Sequence, residues 1–201
     1  MGSSIRLAVD SDVAAITDLY RPVVESTAIS FETEPPDQEE MRRRIGETLP
    51  FYPWLVYDCG GKVVGYAYAA RHRVRAAYHW SVDTSIYVHP EFRRCGIGRG
   101  LYASLFGILA AQGYFNAYAG IALPNPASVA LHELVGYRPL GVYRDVGYKL
   151  GAWHDVGWWQ LALRQRESSP QRPLDLRAIQ DRPGWEALLS RGMPVIRARV
   201  A

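Results

Sequence analysis

One stretch in the middle of the chain limits its possible folds more than any other. Segment 80–88 alternates apolar and polar side chains, as a half-buried strand does. A basic turn at 93–98 follows, with the sequence Arg-Arg-Cys-Gly-Ile-Gly, and apolar residues then recur at helical spacing through 98–112. Backbone N–H groups in such a turn, at the start of a helix, make an anion site. The sequence therefore predicts a phosphate-binding strand–turn–helix unit.

Two common phosphate-binding motifs do not fit this turn. A P-loop needs Gly-x-x-x-x-Gly-Lys followed by Ser or Thr, and the chain contains no such string. A dinucleotide-binding loop needs a third glycine where Leu101 stands, and it follows the first strand of a fold, which segment 80–88 is not. What remains is an Arg-x-x-Gly-x-Gly string, from Arg93 to Gly98, between a strand and a long helix.

The rest of the chain predicts an α+β fold with mixed αβα layers. Strands outnumber helices, hairpin signals join several of them, and one strand–helix–strand unit surrounds the glycine turn. Helices are predicted at about 13–24, where Pro22 indicates a kink or a break, and at 38–49, 98–112 and 127–134. Strands are predicted at 5–8, 54–57, 62–70, 81–88, 116–123, 138–148 and 156–163.

The composition divides the chain into two parts. With 201 residues, 48% of them hydrophobic and 21% charged, it can bury a sizeable core. From residue 164 onward the composition shifts to Arg, Ser, Pro and Gln. We therefore predict one domain over 1–167 and an Arg- and Pro-rich appendage over 168–201 that need not be ordered.

Charge, cysteines and histidines exclude several kinds of partner. A net charge of +3 is too small to predict nucleic-acid binding, and no apolar run is long enough to span a membrane. Two cysteines, Cys59 and Cys95, give no disulfide framework, which favours a cytoplasmic protein. The histidines include no His-Glu-x-x-His and the cysteines no Cys-x-x-Cys, so no metal site is expected.

Two strings carry a resemblance to a known family. The Arg-x-x-Gly-x-Gly turn resembles the acetyl-CoA motif of the GNAT N-acetyltransferases. The segment from Asn125 to Tyr137 resembles their second signature, in which Asn follows a strand and an aromatic residue with Glu precedes Gly and another aromatic residue. The resemblance implies a central, mostly antiparallel, twisted sheet that is splayed at the acetyl-CoA site.

Further strings are similar to those of the phosphinothricin acetyltransferases, at 30–35, 52–56, 76–82, 147–149 and 151–157. The resemblance covers about 5–163 and leaves the appendage outside. It implies acetyl transfer from acetyl-CoA to the amine of a small amino-acid-like substrate, such as phosphinothricin or methionine sulfoximine or sulfone. It also implies a homodimer.

The resemblance assigns a cofactor site around the turn. Backbone N–H groups would hold the pyrophosphate, and glycine at two positions lets the backbone approach it closely. The edge of the preceding strand would pair with the pantetheine amides and hold the thioester oxygen. The residues concerned are Arg93, Arg94, Cys95, Gly96, Ile97 and Gly98 in the turn, Ile86, Tyr87 and Val88 on the strand, and Asn125 and Ser128 beyond it.

The resemblance also assigns an acid–base pair and an acceptor pocket. Asp83 stands where the family has its Glu general base, and His132 where many relatives have a general acid. Because Asp is one methylene shorter than Glu, a water relay is expected. The acceptor pocket would use Phe31, Arg73, Arg75 and Tyr78, with Arg suited to carboxylate or phosphinate groups.

Two departures from the family lie near the acceptor pocket. Arg71-His72 replaces its Pro-Trp, and Glu32 replaces the Arg of its Phe-Arg-Thr. The acceptor therefore stays open: another amine, such as a polyamine or a protein N-terminus, is an alternative, although Arg73 and Arg75 would repel a cation. A non-catalytic acyl-CoA-binding protein is a third hypothesis.

Overall fold

A computed structural model describes residues 2–197, which form one seven-stranded sheet in the order β1-β2-β3-β4-β5-β7-β6 with helices on both faces. The strands are β1 Ser4–Leu7, β2 Trp54–Cys59, β3 Lys62–Arg71, β4 Ser81–Val88, β5 Asn116–Leu123, β6 Arg138–Lys149 and β7 Ala152–Ala162. The helices are α1 Val13–Ser26, α2 Gln38–Thr48, α3 Ile97–Gln112, α4 Pro126–Leu134, α5 Arg177–Gln180 and α6 Trp185–Ser190. Within this range, each helix is too short or too polar to cross a membrane.

The sheet opens between its two central strands. Neighbouring strands pair antiparallel except β4 and β5, which run parallel. Their ladder has only the pairs Ser81–Asn116, Val82–Ala117 and Asp83–Tyr118. Beyond that point β4 continues to Val88 and β5 to Leu123, so the two strands separate at their carboxyl ends. The mixed α+β fold and the splayed sheet expected from the sequence are confirmed.

Each face of the sheet has its own hydrophobic core. On one face α3 buries Leu101, Leu105 and Ile108 completely. On the other face α1 and α2 pack Ile16 and Met41 against β2 and β3. A fully buried aliphatic side chain stabilises a fold by about 1.5–3 kcal/mol, so both faces fix the position of the central strands.

Two local predictions differ from the structure. Of the kink or break predicted at Pro22, the break is wrong, because α1 runs from Val13 to Ser26 with this proline inside it. Strand β7 begins at Ala152, four residues before the predicted start at 156, and forms a long hairpin with β6. The positive φ angles of Leu150 (50°) and Gly151 (80°) make the tight turn that permits the extra pairs.

The segment after 167 is packed on the domain. Leu176, Ile179 and Leu189 are buried, and the Ser104 hydroxyl on α3 donates to the Leu189 carbonyl at 2.7 Å. The segment continues along α3 to the glycine turn, where the N–H of Arg197 donates to the Cys95 carbonyl at 2.9 Å. Residues 198–201 of the predicted appendage, like Met1, lie outside the described residues.

Candidate active site

The turn between β4 and α3 presents backbone N–H groups to the open end of the sheet. Arg94 and Gly96 both have positive φ, 64° and 80°, and Gly96 caps α3. The first intrahelical bond of α3 runs from the N–H of Gly100 to the Gly96 carbonyl. The N–H groups before Gly100 therefore have no partner within the helix, and the positive end of the helix dipole adds to them. This is the geometry of an anion site.

The two glycines of the motif are also required by packing. A Cβ atom on Gly96 would overlap the Val195 carbonyl oxygen of the C-terminal segment. A Cβ atom on Gly98 would lie 2.9 Å from the Leu131 side chain of α4. The glycines therefore let the C-terminal backbone and the Leu131 side chain pack closely against the turn.

A cleft lies between the separated ends of β4 and β5. Beyond the pair Asp83–Tyr118, the facing edges of these strands form no ladder with each other within residues 2–197. An extended chain with amide groups could pair with such edges as a peptide strand does. The cleft is lined by Thr84, Ser85, Ile86 and Tyr87 of β4, Ala119, Gly120, Ile121 and Ala122 of β5, Asn125, Ser128 and His132 around α4, and Ile29.

The predicted cofactor residues surround this cleft. Ile86 and Tyr87 line it, Val88 ends the strand, and four residues that include a short 3-10 turn lead to the turn at 93–98. Asn125 caps α4, because its side-chain oxygen accepts from the N–H of Ser128 at 3.2 Å. The turn adjoins the cleft, because a Cβ atom on Gly98 would lie 3.5 Å from the Ile86 side chain.

His132 is buried at the base of α4 with both ring nitrogens in use. Its Nδ1 lies 2.7 Å from the Ser128 carbonyl oxygen and 3.3 Å from the Ser128 hydroxyl. A carbonyl only accepts, so Nδ1 carries the proton and Nε2 accepts from the Tyr102 hydroxyl at 2.8 Å. Burial lowers the pKa of His132, which favours the neutral ring at pH 7.

Asp83 is the last residue of β4 that pairs with β5, and it contacts a histidine. Its Oδ1 lies 2.6 Å from Nδ1 of His72, and its Oδ2 lies 3.9 Å from the Arg73 guanidinium. Burial raises the pKa of Asp83, against the opposing effect of His72 and Arg73. The next residue, Thr84, points to the opposite face and bonds the Tyr137 hydroxyl at 2.6 Å, beside the His132 ring. The two predicted catalytic residues therefore approach the cleft from opposite faces.

His72 is the site residue that the sequence analysis missed. It directly follows β3, and the pair Ala70–Asp83 of the antiparallel β3–β4 ladder brings its ring beside the carboxylate. Its ring stacks on Tyr118 with a centroid distance of 4.4 Å. The sequence signal that could have indicated it is its position in Arg71-His72, one of the two departures from the family pattern.

The predicted acceptor residues divide into two groups. Arg73 lies over the Trp158 ring at 5.6 Å, and Tyr78 meets His72 edge to face at 5.8 Å, so both belong to the Asp83 cluster. Phe31 packs instead on Gly147, at the far end of the β6–β7 hairpin. Within residues 2–197 the Arg75 side chain makes no hydrogen bond or ion pair, and the structure does not bring it to the cluster.

Glu32, the other departure from the family pattern, is neutralised within the protein. Its carboxylate accepts from the Arg44 guanidinium at 2.8 and 3.0 Å and from the Tyr20 hydroxyl at 2.8 Å. These contacts lower the pKa of Glu32, although burial opposes them. The negative charge is therefore compensated inside the α1–α2 region and offers no free carboxylate to an acceptor.

Comparison with known proteins agrees with this geometry. Residues 5–158 match the family described as "Acetyltransferase (GNAT) domain". The chain is 42% identical to phosphinothricin N-acetyltransferase of Streptomyces viridochromogenes over 170 residues, which cover 85% of this chain and 92% of that protein. It is 34% identical to L-methionine sulfoximine/L-methionine sulfone acetyltransferase of Salmonella typhimurium over 166 residues, 80% of this chain and 94% of that protein.

A solved structure shares both fold and cofactor. A GNAT superfamily phosphinothricin acetyltransferase from Sinorhizobium meliloti, in complex with AcCoA, superposes with a TM-score of 0.80 at 36% identity, over 85% of this chain and 94% of that one. The chain is thus an acetyl-CoA-dependent N-acetyltransferase and not a non-catalytic acyl-CoA-binding protein. It belongs to the GNAT superfamily, in the family of the phosphinothricin and methionine sulfoximine/sulfone acetyltransferases.

Proposed function

We propose that this enzyme acetylates the amine of a small amino-acid-like substrate of the phosphinothricin or methionine sulfoximine/sulfone type. The observation that carries the proposal is the pairing of Arg73 with Asp83 where β4 and β5 separate. A guanidinium beside a carboxylate suits an acceptor that carries both an acidic group and an ammonium group. The names of the relatives at 42% and 34% identity point to the same class of acceptor.

The chain's cofactor residues would hold acetyl-CoA along the cleft. The N–H groups from Arg94 to Gly98 would bind the pyrophosphate, with the arginines at 93 and 94 beside it. The free edge of Ile86, Tyr87 and Val88 would pair with the pantetheine amides and polarise the thioester oxygen. Acetyl-CoA supplies the thioester that the amine attacks directly.

Asp83 and His132 are our candidates for the acid–base pair. Asp83, with the groups it contacts, would remove a proton from the acceptor ammonium, since an ammonium nitrogen has no electron pair for attack. His132 would support the leaving thiolate through Ser128, whose hydroxyl lines the cleft and lies 3.3 Å from Nδ1. The Ser128 hydroxyl would donate a hydrogen bond to the leaving sulfur, while the Tyr102 hydroxyl holds the ring in place through Nε2, and the released thiolate would take its proton from water.

The acceptor pocket would be built mainly from side chains. Arg73 would bind the acidic group, and Tyr78 would cover the site beside His72. Phe31, 39% exposed, would wall the pocket from the α1–α2 loop, and Arg75 would reach the acceptor from the β3–β4 loop. Arg73 and Arg75 disfavour a polyamine, because both would repel its charge.

A second copy of the chain would cover the β6–β7 hairpin. Strand β6 is an edge of the sheet, and its unpaired backbone and apolar side chains would be exposed in a monomer. A homodimer through this face would bury them. The apolar side chains of this hairpin that are more than half exposed are Leu140, Tyr143, Tyr148, Leu150 and Trp153.

The reaction would take place in the cytoplasm. Cys59 and Cys95 are both free thiols, which a reducing compartment preserves. Acetyl-CoA, the cosubstrate, is consistent with this location.

The direct experiment is a screen of acceptors. Thiol release from acetyl-CoA is followed with phosphinothricin, methionine sulfone, methionine sulfoximine, free amino acids, spermidine and a peptide with a free N-terminus. We expect turnover with at least one of the first three amines and little with spermidine. If no amino-acid-like amine causes thiol release and spermidine or the peptide does, the result would instead support the alternative acceptor classes.

A further inference from the structure

His72 and Asp83 form a carboxylate–imidazole pair at the point where the central strands separate. The Nδ1–Oδ1 distance is 2.6 Å, and the side chains are 11% and 33% exposed. An ionised carboxylate can only accept a hydrogen bond, so it fixes the proton of a neutral ring on Nδ1. The other nitrogen, Nε2, then carries a lone pair. Within residues 2–197, Nε2 has no hydrogen-bond partner.

Aromatic side chains hold this ring in place. It stacks on Tyr118 at 4.4 Å with an interplanar angle of 18°. Tyr78 and Trp158 meet it edge to face at 5.8 and 6.5 Å. Because Tyr118 forms the last ladder pair with Asp83, the ring lies at the start of the cleft. Such packing removes alternative rotamers, and a general base needs a fixed direction.

The charged and titratable groups around the His72 ring suggest that this residue acts as a base and not only as a structural contact. The Asp83 carboxylate contacts the ring at Nδ1, and Tyr78 and Tyr118 contact it only through their aromatic rings. The Arg73 guanidinium donates to the His72 carbonyl oxygen at 2.7 Å, lies over the Trp158 ring and is 3.9 Å from Oδ2 of Asp83. A carboxylate on Nδ1 with a free Nε2 is the arrangement of an imidazole base with its orienting acid.

We propose that Nε2 of His72 removes the proton from the acceptor ammonium, with Asp83 as the carboxylate that orients and stabilises the ring. This inference rests on the proposed N-acetylation of an amine. The N–H bond of the ammonium breaks as the Nε2–H bond forms, and the nitrogen keeps the electron pair with which it attacks the thioester. The imidazolium is neutralised by Asp83 and afterwards returns its proton to water.

This assignment explains how a short carboxylate can serve the reaction. The resemblance places a longer Glu at position 83 and a Trp at position 72, and here both positions differ. The imidazole extends the reach of Asp83 by one hydrogen-bonded ring. It takes the place of the water relay that the sequence alone led us to expect.

The test uses the acceptor on which the wild-type enzyme is most active. His72→Gln and His72→Ala are compared with His79→Gln, a histidine of the same loop that contacts Arg71 and Arg172 and not Asp83. We expect kcat/KM for the acceptor to fall about 100-fold or more in both His72 variants and to stay within twofold in the control. Acetyl-CoA Kd and the melting temperature report whether each variant is folded.

Chemical rescue separates a base from a positioning group. Added imidazole should raise the rate of His72→Ala by about tenfold or more. As pH is varied, this increase should follow the fraction of imidazole that is neutral. Rates of both folded His72 variants within threefold of wild type, or a large loss that imidazole does not restore at any pH, would overturn the assignment. No thiol release by the wild type on any amine would overturn the proposed function as well.

Discussion

The two sides of the cleft are built from different parts of the chain. On the side that we propose for the cofactor, the turn at 93–98 and the free edge of β4 offer backbone groups. On the side that we propose for the acceptor, His72, Arg73 and Asp83 offer side chains that come together through the β3–β4 pairing. Backbone groups suit a ligand that is the same for every member of a family, whereas side chains can change with the acceptor. Substitutions on the two sides should therefore affect different steps.

The largest effect is expected from Asp83→Asn. The amide cannot stabilise an imidazolium, so kcat should fall at least about 100-fold, while Kd for acetyl-CoA stays within twofold. Initial rates and calorimetric titration measure the two quantities. Asp18→Asn, on the exposed face of α1, is the matched control and should leave both unchanged. A loss of acetyl-CoA affinity equal to the loss of rate would contradict the claim that the two sides affect different steps.

Removal of the C-terminal segment should affect stability next most strongly. Leu176 and Ile179 are completely or almost completely buried, and a buried aliphatic side chain contributes about 1.5–3 kcal/mol. Truncation after Glu167 should therefore destabilise the fold by at least about 3 kcal/mol and lower Tm by about 10 °C. Leu176→Ala should reproduce part of this loss, and the exposed Arg177→Ala should not. An unchanged Tm in the truncated protein would mean that the segment is an appendage that does not stabilise the domain.

The strand–turn–helix unit could be predicted because its signals are local in sequence, whereas the splayed sheet and the cofactor residues were implied by the family resemblance. The strand, the Arg-x-x-Gly-x-Gly turn and the helix are consecutive, and their spacing determines their arrangement. The His72–Asp83 pair could not be predicted in this way. It depends on strand register and on stacking against Tyr118, which lies 46 residues further along the chain.

The C-terminal segment shows a second reason why sequence reasoning fell short. Its Arg- and Pro-rich composition is typical of disorder, but a few apolar residues at irregular spacing are enough to pack on α3. They reach the backbone because glycine stands at the N-cap of α3, position 96, and within the helix at 100 and 107 along the contact. The sequence analysis attributed Gly96 to phosphate binding and gave no role to Gly100 or Gly107.

Gly96→Ala tests the cofactor side. Its φ of 80° costs a residue with a side chain about 1–2 kcal/mol, and the methyl group would overlap the Val195 carbonyl. We expect a lower Tm and weaker acetyl-CoA binding. Gly46→Ala in α2 is the control, since no atom lies within 4 Å of its added Cβ and helix propensity favours alanine. Acetyl-CoA affinity that stays unchanged in Gly96→Ala would contradict the assignment of this turn.

A smaller effect is expected from Arg73→Gln. Loss of a charge-assisted contact to the acidic group of the acceptor should raise KM for the acceptor about tenfold, with little change in KM for acetyl-CoA. Steady-state kinetics with both substrates varied will separate these values. Arg75→Gln shows whether the second arginine contributes, and we expect a weaker effect because it lies outside the cluster. An equal rise in both KM values would mean that Arg73 serves the cofactor side.

The smallest expected effect is on stability against pH. Burial raises the pKa of Asp83, so the folded protein binds this proton more tightly than the unfolded chain does. The ionised carboxylate therefore costs stability once pH rises above the ordinary Asp pKa of about 4, and the cost is complete above the raised value. Asp83→Asn should thus have a Tm equal to or above the wild type at pH 7, with a smaller difference below pH 4. A lower Tm at pH 7 would show that the ion pair outweighs burial.

The most direct test of whether the two sides of the cleft have separate roles combines His72→Gln with Asp83→Asn in one protein. Thiol release and acetyl-CoA Kd are determined on the same preparation, with the best acceptor of the wild type. We predict that the rate falls by at least about 100-fold. The loss in the double variant should exceed the loss in either single variant by no more than a few fold, because the two residues act as one unit. Acetyl-CoA Kd should stay within twofold of wild type. A Kd that rises in step with the loss of rate, or a rate close to wild type, would contradict the account.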